Sequence, residues 1–172
     1  MIDLIILGML IEKSQSAYDI QKDIEYHNFD RWSKISIPSI YKKVIQLEEK
    51  GYLVSEIINS GRLINKAIYS ITEKGRKYFQ TLMTDLSMTN PSVIFDFNIL
   101  IANITKLPRS QGQVLLSNLK IAISQALSST EEWEKEFSNM PFNGQAIIKQ
   151  QIAVYKLLLE WVNEFEKQYA SQ

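Results

Sequence analysis

The sequence predicts a mainly α-helical chain that carries one small β-hairpin. Three observations predict it. Within residues 1–86, the stretch 36–50 has one apolar and one polar face and is bounded by Ser36 and Gly51. Two strand-like runs, containing Val54, Ile57 and Ile58 on one side and Ile68, Tyr69 and Ile71 on the other, flank the turn formers Ser60, Gly61 and Asn65. Beyond Pro91 the apolar residues recur at helical spacing through two long stretches.

Taken in order, residues 2–12 form a first helix and residues 17 to about 27 a second. A loop or extended piece then leads to Ser36, the candidate N-cap of a third helix. Pro38 suits its first turn, where a backbone N–H is not needed. Ile37, Ile40, Val44 and Leu47 recur at spacings of three and four and share the inward face. Ser39, Lys42, Lys43 and Gln46 are expected to face outward, with Tyr41 at the border. Gly51 is expected to end the helix in the left-handed C′ conformation. Residues 52–59 read as a strand, 60–65 as the hairpin tip and 66–71 as the return strand. Thr72 caps a fourth helix running from 73 to about 86. Helix, helix, helix, hairpin, helix is the winged helix-turn-helix order. A short helix that offers hydroxyls, lysines and a tyrosine suits a DNA major groove. Arg62 and Lys66 sit on the hairpin, where a wing touches phosphate.

Residues 4–86 resemble the DNA-binding domain of the PadR family of bacterial transcriptional regulators. The residues that carry the resemblance start with Ile6-Leu7-Gly8-Met9-Leu10 and Tyr18-Asp19-Ile20. Ser36 and Ile40-Tyr41 follow, then Leu47-Glu48-Glu49-Lys50-Gly51-Tyr52-Leu53-Val54. Gly61-Arg62 and Tyr69-Ser70-Ile71-Thr72-Glu73-Lys74-Gly75-Arg76 complete the set. Leu-Glu-Glu-Lys-Gly alone occurs in many winged helices; the ordered set is the specific signal. One departure stands out. The family commonly opens the second helix with His-Gly-Tyr, where this chain has Ser16-Ala17-Tyr18. The resemblance implies a DNA-binding repressor, a C-terminal helical dimerisation region, and release by a small aromatic effector.

Charge needs a local reading. The 172 residues carry no net charge, which taken alone argues against nucleic-acid binding. Yet residues 31–46 hold Arg31, Lys34, Lys42 and Lys43 with no acid, and residues 57–72 hold Arg62 and Lys66 with none. Acids gather at Glu131, Glu132, Glu134 and Glu136, and at Glu160, Glu164 and Glu166. A basic surface confined to one face gives a binding site without a basic protein. The expected DNA-contacting residues are Tyr18, Ser36, Pro38, Ser39, Tyr41, Lys42, Lys43, Arg62 and Lys66. Tyr18 fits helix packing as well as a phosphate hydrogen bond.

Other classes find less support. No cysteine is present, so there is no disulfide or thiolate chemistry, and the cytoplasm is the simplest location. No apolar run reaches the roughly 18–20 residues that span a bilayer, so no membrane partner is expected. His27 has no ligands at metal spacing and reads as a surface residue; neither metal nor cofactor is expected. The glutamate cluster at 131–136 reads as a solvated face. No Gly-rich phosphate loop or nucleophile elbow is present, so an enzyme is not expected. The alternative is a winged helix that serves only protein interaction or dimerisation. The outward lysines argue against it, because protein-binding faces present apolar residues.

The polar stretch 87–91 marks the expected boundary between domains 1–86 and 87–172. Helices are expected at 93–105, from 110 to about 138, and at 145–168, with a turn at 140–144. The last helix has two apolar stripes. One holds Ile148, Ile152, Tyr155, Leu159 and Val162; the other holds Ile147, Val154, Leu158, Trp161 and Phe165. The preceding helix can cover one stripe, which leaves the other for a second copy of the chain. Trp32, Trp133 and Trp161 read as core or interface residues, any of which can also line an effector pocket.

Overall fold

The computed structural model describes residues 1–27, 29, 39–59, 65–136 and 139–171; of Asn59 and Asn65 it describes the backbone. These residues form two compact units, Met1–Pro91 and Ser92–Gln172. The first contains α1 (Ile2–Glu12), α2 (Ala17–Tyr26), α3 (Ile40–Glu49), the antiparallel pair β1 (Leu53–Asn59) and β2 (Asn65–Ile71), and α4 (Glu73–Ser87). The second contains α5 (Asn98–Asn103), a 3-10 turn at Ile104–Lys106, α6 (Arg109–Glu136) and α7 (Phe142–Ser171).

Local signals fix most ends in the first unit. Ser16 caps α2 with a capping box: its hydroxyl accepts from the Asp19 backbone N–H, and the Asp19 carboxylate accepts from the Ser16 N–H. Gly51 has φ 74°, its N–H donates to Glu48 O, and the Tyr52 N–H donates to Leu47 O. That pair of bonds is a Schellman closure of α3. Thr72 Oγ1 accepts from the Gly75 N–H at 3.0 Å and caps α4. Gly75 is required there, because a Cβ would lie 2.2 Å from the Tyr52 carbonyl oxygen. Leu7, Leu10, Ile20, Ile24, Val44 and Leu47 are among the buried residues of one continuous core beneath α1, α2 and α3.

The second unit departs from expectation at two places. Residues 93–97 are not helical; Val93 and Ile94 are exposed, and α5 is one short helix. Phe95 to Asn98 instead forms a turn, in which the Asn98 N–H donates to Phe95 O at 3.0 Å. The Phe95 and Phe97 rings stack at 5.2 Å and pack against the cluster of Ile123, Leu158 and Val162. The last helix also starts earlier than expected, at Phe142, so the turn ends before it. Pro141 immediately precedes that first turn, and its carbonyl accepts from the Gln145 N–H.

Candidate nucleic-acid interface

α3 divides cleanly into two faces. Ile40, Val44 and Leu47 are buried against the core. Tyr41, Lys42, Ile45 and Glu49 are exposed, with Tyr41 44% and Ile45 50% exposed. This face combines a phenol, an ammonium and a branched apolar side chain. Such groups can hydrogen-bond base edges, pair with phosphate and meet a thymine methyl. Among the described residues Lys42 makes no ion pair. Ser39 flanks the helix start and is half-buried. The expected N-cap Ser36, together with Pro38, lies outside the described residues, as do Trp32 and Arg62.

Lys43 departs from the expected outward position. Its side chain is half-buried, and its Nζ lies 3.1 Å from Asp3 Oδ1 on α1. Position 43 sits at the edge of the buried stripe, one turn from Ile40 and Leu47, so the long stem turns toward α1. Lys66 is exposed on β2, yet its Nζ lies 2.7 Å from Asp19 Oδ2. That contact, with the Ser16 hydrogen bonds, holds the Asp19 carboxyl below the usual carboxylate range. Tyr18 is 55% exposed, with the Lys22 ammonium 5.7 Å from its ring centre. More than half of the residue is open to solvent, so it is not enclosed between helices.

The hairpin is anchored to the helices at a second point. Gln15 and Tyr69 exchange backbone hydrogen bonds of 3.2 and 2.9 Å, which adds a strand-like bridge beside β2. The Tyr69 hydroxyl is pushed up in pKa by burial, with Glu48 adding to the effect. Three helices, a cap-closed third helix and an anchored hairpin make a winged helix.

A sequence model of the transcriptional regulator PadR-like family matches residues 6–81. Through this N-terminal stretch the chain is similar to the PadR-like family of transcriptional regulators. No curated protein matches the sequence significantly. Solved structures extend the likeness of fold to the whole chain. Bacillus subtilis PadR in complex with operator DNA matches with a TM-score of 0.79 and 18% identity, covering 97% of this chain and 98% of that one. Bacillus subtilis PadR in complex with p-coumaric acid matches with a TM-score of 0.77 and 18% identity, over 98% and 94% of the two chains. The Vibrio cholerae virulence activator AphA matches with a TM-score of 0.73 and 16% identity, over 99% of each.

In the C-terminal unit of this PadR-like chain, the residues expected at a dimer seam are largely occupied within the chain. Ile148, Ile152, Leu158 and Val162 are buried, and Tyr155, Leu159, Trp161 and Phe165 are half-buried on the same clusters. Leu158, Trp161 and Phe165 of the second stripe are covered by Phe95, Phe97 and α5, while Val154 stays exposed; the periodicity of α7 alone does not reveal this cover. The apolar residues that do face outward include Val114, Ile121, Val154 and Leu157. An open groove of about 540 Å³ runs beside Phe95, Phe97, Leu119, Val154, Tyr155 and Leu158. Trp161 stands at 5.6 Å from Phe97, while Trp133 is buried in α6. Ile45 was not signalled by motif: it falls outside the buried stripe, and that offset is the clue. Among the described residues no cluster of His, Cys, Asp or Glu can hold a metal ion, and no helix is long and apolar enough to cross a membrane.

Proposed function

We propose that the chain is a homodimeric transcriptional repressor that binds an inverted-repeat operator and is released by a small aromatic effector. The observation that carries the DNA-binding reading is the outward face of α3. It presents Tyr41, Lys42 and Ile45 on a helix whose other face and C-terminal end are fixed by the fold. Tyr18 and Ser39, with Ser36, Pro38 and Arg62, supply phosphate and base contacts around it. Operator DNA bound to the like-folded Bacillus subtilis PadR supports this assignment. The C-terminal region, from about residue 87, joins two such readers. The outward apolar residues Val114, Ile121, Val154 and Leu157 supply the surface for the second copy. The aromatic-lined groove is the effector site, and the p-coumaric acid bound to the Bacillus subtilis protein supports that class of ligand. The protein acts in the cytoplasm.

Sequencing the genomic fragments retained by the purified protein tests the reading. The fragments should share an inverted repeat with half-sites about 10 base pairs apart, or a multiple of that, since a two-fold dimer presents identical helices to one side of the duplex. Inserting five base pairs between half-sites should abolish tight binding. Retention without sequence enrichment would favour the protein-interaction alternative. Because AphA is an activator, the sign is tested separately: deleting the gene should raise transcription from the recovered promoter.

A further inference from the structure

Two of the basic residues near the proposed DNA face are already paired within the chain. Lys66 Nζ lies 2.7 Å from Asp19 Oδ2, and Lys43 Nζ lies 3.1 Å from Asp3 Oδ1. Each pair joins different elements, β2 to α2 and α3 to α1. The Asp19 carboxylate is held in place by Ser16. Asp19 accepts from the Ser16 hydroxyl at 2.7 Å and from its backbone N–H at 3.3 Å. The buried Asp3 Oδ1 accepts no hydrogen bond and has the Lys43 ammonium as its ion-pair partner. Lys42 is left as the unpaired lysine of α3 among the described residues.

Resting on the DNA-binding reading above, we infer that Asp3 and Asp19 determine specificity by withholding Lys43 and Lys66 from the phosphate backbone. The argument is electrostatic. Sequence-independent affinity for DNA comes from cations that displace condensed counterions. A lysine that neutralises a carboxylate of its own chain displaces none, and the carboxylate repels nearby phosphate. With two lysines withheld, a larger share of affinity must come from Tyr41, Lys42 and Ile45, which face outward on α3.

Salt titrations of the full-length protein on a mixed-sequence 30-base-pair duplex test the inference. Asp19→Asn keeps an oxygen for Ser16 but loses the charge that holds Lys66; Asp3→Asn does the same for Lys43. Each variant should steepen the plot of log affinity against log salt by about 0.9. The ratio of variant to wild-type affinity should then fall about 3.5-fold between 50 and 200 mM salt. Adding Lys66→Gln to Asp19→Asn should return the slope to the wild-type value, while Lys66→Gln alone should leave it unchanged. Glu132→Gln, on exposed α6 surface, makes the same change in net charge and should not move the slope. Unmoved slopes in both aspartate variants, an equal shift in Glu132→Gln, or a shift that survives Lys66→Gln would overturn the inference while leaving DNA binding intact. No duplex binding by any variant or by wild type would overturn both.

Discussion

The two units solve burial differently. Among the described residues, the N-terminal unit draws ten buried apolar residues into one cluster, from Ile6 to Leu53. The C-terminal unit has longer helices, yet its buried residues fall into separate small groups around Ile104 and around Val162. Meanwhile Val93, Ile94, Ile99, Val114, Ile121, Phe142 and Leu157 stay exposed. Helix length is therefore a poor guide to self-sufficiency. The N-terminal unit also leaves Val54, Ile57, Ile58 and Met83 exposed but closes on a single core, whereas two long helices side by side present a second flank. That flank is where the proposed second copy gains its hold.

Four measurements break or sharpen this contrast. The largest effect belongs to Leu47→Ala, which opens a cavity in the single N-terminal core. It should cost about 2–5 kcal/mol in chemical denaturation, with no dependence on protein concentration. Next, Leu157→Lys should shift the species in sedimentation from twice the 19.9 kDa chain mass to once that mass. It should also remove the concentration dependence of C-terminal unfolding, as mass action requires. A variant that still sediments as a dimer would move the interface elsewhere. Third, Thr72→Ala should cost about 1 kcal/mol by removing the α4 cap, without changing the sedimenting species.

The smallest effect concerns Asp19. Its carboxyl is held below the usual carboxylate range in the folded chain, mainly because the Lys66 ammonium donates to it, with Ser16 adding to the shift. A depressed folded value means that the pair stabilises above the unfolded-state pKa and that this contribution is lost as pH falls through the folded value. The pair is solvent-exposed, so the contribution to stability is small, within about 1 kcal/mol. Lys66→Gln should raise the carboxyl pKa in an NMR titration; an unmoved value would show that Ser16 alone sets it.

Much of the N-terminal unit was legible because its signals are local. Gly51, Thr72 and the stripe of Ile40, Val44 and Leu47 each act within a few residues, and α1, α3, the hairpin strands and α4 follow from them. Lys43 shows what such signals leave out. Its partner Asp3 lies forty positions away, and periodicity reports which side of a helix a residue occupies, not which distant charge awaits it. Residues 93–97 show a second gap. Their apolar content suggested helix, but the stacking of Phe95 on Phe97 depends on a surface built by α6 and α7. The intrachain cover over Leu158 and Val162 was hidden for the same reason.

The division of α3 has one further consequence. Ile40, Val44 and Leu47 carry the fold, while Tyr41, Lys42, Ile45 and Glu49 carry no core duty. Vocabulary is thereby separated from grammar: the four outward positions can be rewritten while the scaffold stays standing. On the proposed DNA-binding reading, a lineage can drift from one operator to another by changes at those sites, each crossing a stable intermediate. An engineer can randomise the same four positions in a library and expect nearly every member to fold.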